Sequence, residues 1–103
     1  MIVRIVDLQI EQSEFEHAQQ LIEDVAPKVR SFEGCSYLEL NYDLHKKGHI
    51  QTYSRWASEK DLNYYRDSDT FLSFWKKVKP LFARPASAWS FQTRQIDLKL
   101  VNN

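Results

Sequence analysis

Along this chain the spacing of apolar residues switches between two and about 3.6, and the order of the switches restricts the fold more than any single motif does. Residues 2 to 10 alternate in part, with Ile2, Val6, Leu8 and Ile10 set against Asp7 and Gln9, and are rich in β-branched types. That pattern predicts a strand. Ser13 and Glu16 have the spacing of a capping box, and Phe15, Ala18, Ile22, Val25 and Val29 follow at helical spacing. A helix is predicted there, kinked or ended near its last turn by Pro27. After Glu33-Gly34 the period returns to two over Cys35 to Asp43, with Leu38, Leu40 and Tyr42 on one face and Tyr37, Glu39 and Asn41 on the other. The polar run Leu44 to Gly48 then reads as a turn, and His49 to Ala57 as the return strand of a hairpin.

The second half repeats the plan. Ser58 and Asp61 resemble an N-cap, with Leu62 and Tyr65 behind them; Asp67-Ser68-Asp69 marks a joint capped by Ser68 or Asp69. A second helical piece carries Phe71, Phe74, Trp75, Val78 and Phe82 on one stripe, with Lys76, Lys77 and Lys79 toward its C-terminus and Pro80 as its stop. Ala86 to Asp97 reads as the last strand, with Trp89 and Phe91 on one face, and Leu98 to Val101 either extend it or pair elsewhere. The order β-α-β-β-α-β predicts an α+β, ferredoxin-like fold in one domain spanning 1–103: a four-stranded antiparallel sheet with both helices on one face. The other face is left for a partner or for polar side chains.

Composition narrows the function. Lys+Arg and Asp+Glu each number 14 among 103 residues, so the formal net charge is zero and the basic footprint of a nucleic-acid binder is missing. The same balance speaks against a polybasic membrane anchor. No apolar run approaches the roughly 18 residues of a membrane span, and the first ten residues are too short and charged for a signal segment, so a cytoplasmic protein is expected. With one cysteine there is no disulfide framework, and with two glycines there is no dinucleotide fingerprint. Cys35 reads as a small hydrophobe, and His45 and His49 as solvated turn residues, not as a metal site. Fourteen aromatic side chains (three Trp, five Tyr, six Phe) must go to core, pocket or partner.

Several segments carry a family resemblance: Phe32-Glu33-Gly34-Cys35-Ser36-Tyr37, Thr52-Tyr53-Ser54-Arg55-Trp56-Ala57-Ser58-Glu59, and Tyr65-Arg66-Asp67-Ser68-Asp69-Thr70-Phe71. With Val78-Lys79-Pro80-Leu81-Phe82 and Ala88-Trp89-Ser90, they resemble the antibiotic biosynthesis monooxygenase family, and in particular its small bacterial members named quinol monooxygenases by homology. The resemblance implies a homodimeric α/β-barrel in which the bare sheet faces pack together, with a pocket between each sheet and its helices. Members include cofactor-independent oxygenases of phenols or quinols, heme-degrading oxygenases, and proteins without known turnover. In the heme-degrading branch the iron-ligating His would fall at Trp75, a Trp at Tyr65 and an Asn at Val6 or Asp7; none is kept in this sequence.

Period two puts Thr52, Ser54 and Trp56 on one face of the third strand. If that face looks toward the second helical region, Trp56 meets Tyr65, Phe71 and Trp75. The expected site is therefore Thr52, Ser54, Trp56, Phe71 and Trp75 around an aromatic ligand, Trp56 and Trp75 being the walls. Tyr65 would be a hydrogen-bonding group and Arg66 an electrostatic helper. Glu39 and Asp7 are further candidates for the base. No cofactor or metal is expected. One reading is thus a cofactor-independent monooxygenase; the other is a non-catalytic dimeric barrel, binding a small ligand or serving in a stress response. A heme-binding protein without the usual His is a remote third.

Overall fold

The structure, a computed structural model, describes residues 1–96. Strand β1 (Ile2–Gln9) leads through a short 3-10 turn (Gln12–Glu14) into helix α1 (Phe15–Arg30). Strands β2 (Cys35–Tyr42) and β3 (His49–Trp56) form the hairpin. Helices α2 (Glu59–Arg66) and α3 (Asp69–Val78) follow, then a second 3-10 turn (Lys79–Leu81) and strand β4 (Ser87–Gln92). The sheet is antiparallel in the order β2-β3-β1-β4. This is the ferredoxin-like α+β arrangement read from the pattern of periods.

Register sorts the strand residues to the two faces, apart from a bulge in β2 between Cys35 and Tyr37. Opposed residues point the same way, so the rows Ile2–Trp56–Cys35, Arg4–Ser54–Leu38 and Val6–Thr52–Leu40 look toward the helices. There they meet two buried clusters. Leu8, Ile10, Ala18, Ile22, Ile50 and Val78 form one; Val29, Cys35, Trp56 and Leu62 form the other. Each fully buried aliphatic side chain contributes about 1.5–3 kcal/mol of transfer free energy. The opposite face carries Val3, Ile5 and Asp7 of β1 beside Arg55, Tyr53 and Gln51 of β3, with no helix of the described residues over it.

Local chemistry explains the boundaries. Ser58 Oγ accepts from the Asp61 amide at 3.1 Å and Ser68 Oγ from the Phe71 amide at 3.2 Å, so both expected caps form. Gly34 allows the turn into β2 at φ +86°; a Cβ there would collide with the Asp61 side chain. The expected capping box at Ser13 and Glu16 does not form. Ser13 lies inside the 3-10 turn, closed by the Glu14 amide donating to the Glu11 carbonyl at 2.8 Å, and α1 begins after Glu14 with no side-chain cap. Pro27 does not stop α1, which runs three residues further to Arg30; so near the C-terminus its missing N–H strands only one carbonyl of the preceding turn. The last strand is shorter than expected, ending at Gln92 instead of Asp97. Its terminal pair with β1 is Ile2 opposite Gln92, beyond which the Thr93 amide donates to the Met1 carbonyl at 2.9 Å. Asp97 and the Leu98–Val101 tail lie outside the described residues.

Candidate functional site

Between the inward face of the sheet and the helices lies a cavity of about 370 Å³. Its floor is built by β1, β2 and β3, with Val6, Leu8, Leu38 and Leu40 as apolar parts and Arg4, Thr52 and Ser54 as polar ones. Ile22, Val25, Ala26 and Val29 of α1 form one wall. Tyr65 and Arg66 of α2 with Phe71, Phe74 and Trp75 of α3 form the other. Arg66 and Ala88 are the solvent-exposed members near β4 and α2, and they mark the mouth.

The aromatic wall is one continuous chain of contacts. Tyr65 stacks on Trp56 (centroids 5.2 Å apart, planes at 19°) and meets Phe71 edge-on at 5.4 Å. Phe71 in turn stacks on Trp75 at 5.5 Å and 22°, and Trp75 meets Phe82 edge-on at 5.4 Å. Pairs of this geometry add roughly 0.5–1.5 kcal/mol each beyond area burial, so the wall is stiff. Thr52, Ser54, Tyr65, Arg66, Phe71 and Trp75 all line the cavity. Trp56 does not. It is fully buried behind Tyr65, in the second core cluster, and its indole N–H donates to Ser54 Oγ at 2.9 Å. That bond supplies the polar partner a buried Trp requires, so Trp56 supports the wall instead of forming it.

The two acidic candidates are also elsewhere. Glu39 accepts from Tyr37 Oη at 2.7 Å and from Asn41 Nδ2 at 2.9 Å, and Asp7 lies 3.2 Å from His49 Nε2, all on the open face of the sheet. Both occupy the parity opposite to the inward residues of their strands. Among the described residues, then, no carboxylate, imidazole or thiol lines the cavity. Trp75, at the position the resemblance assigns to an iron-ligating His, has no lone pair to offer. Cys35 is buried in the second cluster, where burial pushes its thiol above the usual range.

The charged group that the sequence reading does not single out is Arg4. It sits half-buried on the cavity floor, donating from Nη1 to Ser90 Oγ at 3.0 Å, and no carboxylate of the described residues pairs with it. Burial, and then the neighbouring Arg66 guanidinium, lower its pKa from the ordinary 12.5. Tyr65 is pushed up to about 12, chiefly by burial, with Arg4 opposing the shift. At neutral pH Tyr65 is therefore a hydrogen-bond donor and not a base. Arg4 is paired with Ser54 across β1 and β3 and with Ser90 across β1 and β4, so the polar groups gather at one end. From Arg4 the floor becomes apolar along β1 through Val6 to Leu8.

The profile of the antibiotic biosynthesis monooxygenase family matches residues 1–77. The chain belongs to that family. The monooxygenase-family fold extends past the matched segment into β4. A structure from Mycobacterium tuberculosis superposes with a TM-score of 0.85 at 18% identity, over 92% of this chain and 96% of that one. A crystal structure of an antibiotic biosynthesis monooxygenase gives 0.87 at 15%, over 92% and 100%. A conserved protein of Methanosarcina mazei Go1 gives 0.85 at 15%, over 91% and 94%. At such identities the likeness establishes the fold of this monooxygenase-family chain and not its chemistry. No protein of curated function matches it. Among the described residues no helix is long and apolar enough to cross a membrane.

Proposed function

We propose that this protein is a homodimeric, cofactor-independent monooxygenase that oxidises a planar phenol or quinol in the cavity between sheet and helices. The observation that carries the reading is the cavity itself: about 370 Å³, walled by Tyr65, Phe71 and Trp75, with its charged groups, Arg4 and Arg66, at one end. Its size falls at the small end of the roughly 300–1,000 Å³ typical of ligand pockets and suits a few fused rings. The ring system lies against the aromatic wall with its hydroxyl toward Tyr65 and Arg66. There the guanidinium and the phenolic O–H of Tyr65 favour the ionised phenol. The proton leaves to water, since the lining supplies no base. The electron-rich anion passes an electron to dioxygen, and the radical pair recombines at a ring carbon. For a hydroquinone the balance is quinol plus O₂ giving hydroxyquinone plus water: one oxygen enters a ring C–H position and the other leaves as water.

The test is oxygen uptake with a panel of quinols and anthrones. Wild type is expected to exceed uncatalysed autoxidation, and Tyr65→Phe, which keeps the stacking on Trp56, is expected to lower kcat/KM about tenfold. Trp56→Ala is unsuitable as a probe: truncating a fully buried Trp costs about 3–5 kcal/mol and reads as loss of fold. Uptake no faster than autoxidation across the panel contradicts turnover of these substrates and favours the ligand-binding alternative, which the lack of a base in the lining also suits.

A further inference from the structure

Arg4 makes the polar end of the cavity more demanding than a neutral quinol requires. It stands at an inward position of β1, half-buried, with Arg66 near enough to depress its pKa and no carboxylate of the described residues to neutralise either. Ser90 Oγ accepts one hydrogen bond from Nη1, at 3.0 Å. A guanidinium has five donors, so most of this fork remains without a protein partner among the described side chains. Taking a cation out of water without a counter-charge is costly, and a second cation beside it raises the cost. An uncharged ligand would seal that situation in. A ligand carboxylate relieves it, because carboxylate and guanidinium match in a planar, bidentate pair.

The rest of the cavity sets the remainder of the ligand. Tyr65 and Arg66 belong to the same polar end as Arg4, while beyond the Val6–Thr52 row the floor toward Leu8 and the α1 wall offer only apolar surface. A ligand with two polar groups must therefore carry them side by side, with its rings trailing toward Leu8. We infer that the cavity takes an aromatic acid whose carboxylate sits next to its phenolic hydroxyl, held by Arg4, with Arg66 and Tyr65 beside the hydroxyl. This rests on the cavity's being the ligand site, but it does not require turnover.

Binding of 1-hydroxy-2-naphthoate and of its neutral counterpart 1-naphthol tests it, followed by calorimetry and by fluorescence of Trp75 in the wall. Wild type is expected to prefer the acid at least about tenfold, the equivalent of one charge-assisted hydrogen bond, and to lose the preference as salt rises. Arg4→Met is expected to abolish the preference while still binding 1-naphthol, and Arg4→Lys to keep part of it. If Arg4→Met fails to fold, the salt dependence in wild type and the Arg66→Met variant, which changes an exposed residue, decide the point. Equal affinity of wild type for the two probes overturns the carboxylate assignment and leaves the cavity as a site for neutral phenols. Binding of neither overturns the cavity reading itself.

Discussion

His49 is held between two carboxylates on the open face, at the base of the β2–β3 hairpin. Its Nδ1 lies 2.9 Å from Asp43 and its Nε2 3.2 Å from Asp7. Asp43 is held at about 2, first by His49 and then by the amides of His45 and Lys46, while Asp43 and then Asp7 raise His49 above its ordinary value. The two shifts bound a pH window. A raised histidine contributes stability that is complete below its unfolded pKa of 6.5 and is lost as pH rises through the higher folded value. A depressed aspartate contributes above its unfolded 3.8 and loses that contribution as pH falls toward about 2. His49→Gln should therefore destabilise most between about pH 4 and about pH 6, and progressively less on either side. Urea midpoints of both proteins across that range check it; a constant gap contradicts the assignment. At this same scale the sequence is only partly legible. The parity of Ile2, Val6 and Leu8 includes Arg4, so an inward cation is readable in β1 alone, but its lack of a counter-ion among the described residues depends on how α2 packs. The burial of Trp56 is likewise decided by Ser54, two residues away on the same face, which gives its N–H a partner.

At the scale of elements, the hydrophobic periods predict the existence and order of the strands and helices, while the ends depend on hydrogen bonds that neighbours compete for. Ser13 and Ser68 show the difference. Both precede apolar stripes, and both look like N-caps. Ser68 Oγ accepts from the Phe71 amide and donates to the Tyr65 carbonyl at 2.6 Å, tying α3 to the end of α2. Ser13 is absorbed in the 3-10 turn that Glu11 closes. Ser68→Ala should cost about 1 kcal/mol and lower Tm by roughly 4–8 °C, whereas Ser13→Ala should stay within about 0.5 kcal/mol of wild type. Thermal melts of the two variants side by side test this, and equal losses would show that the caps are misassigned. The Ser68 joint also seats Tyr65 against Phe71, so a loosened cap is felt in the cavity wall.

At the scale of the whole molecule, the helices cover one face of the sheet and leave a surface that a soluble monomer would not ordinarily present. The rows Phe91–Val3–Arg55–Tyr37 and Trp89–Ile5–Tyr53–Glu39 run across all four strands. Trp89 is 44% exposed and Phe91 50%, so the β4 side is an apolar aromatic band. The β2–β3 side is amphipathic: Arg55 lies 5.1 Å over Tyr37 and 5.5 Å over Tyr53. Such a face can meet a second copy across a two-fold axis, the aromatic edge of one against the tyrosine–arginine edge of the other. A formal net charge of zero removes the long-range repulsion that would oppose it. Thirteen of the fourteen aromatics thereby divide between core, cavity wall and this outer face, and Tyr64, 72% exposed, stays on the surface of α2. Light scattering at micromolar concentration should give twice 12.3 kDa for wild type. Trp89→Glu with Phe91→Glu should give the monomer with its far-UV circular dichroism retained, because both side chains point away from the helix–sheet core. A monomeric wild type would contradict the interface directly. A dimeric double variant would place it on some other surface, and the exposed aromatic band would then need a different occupant.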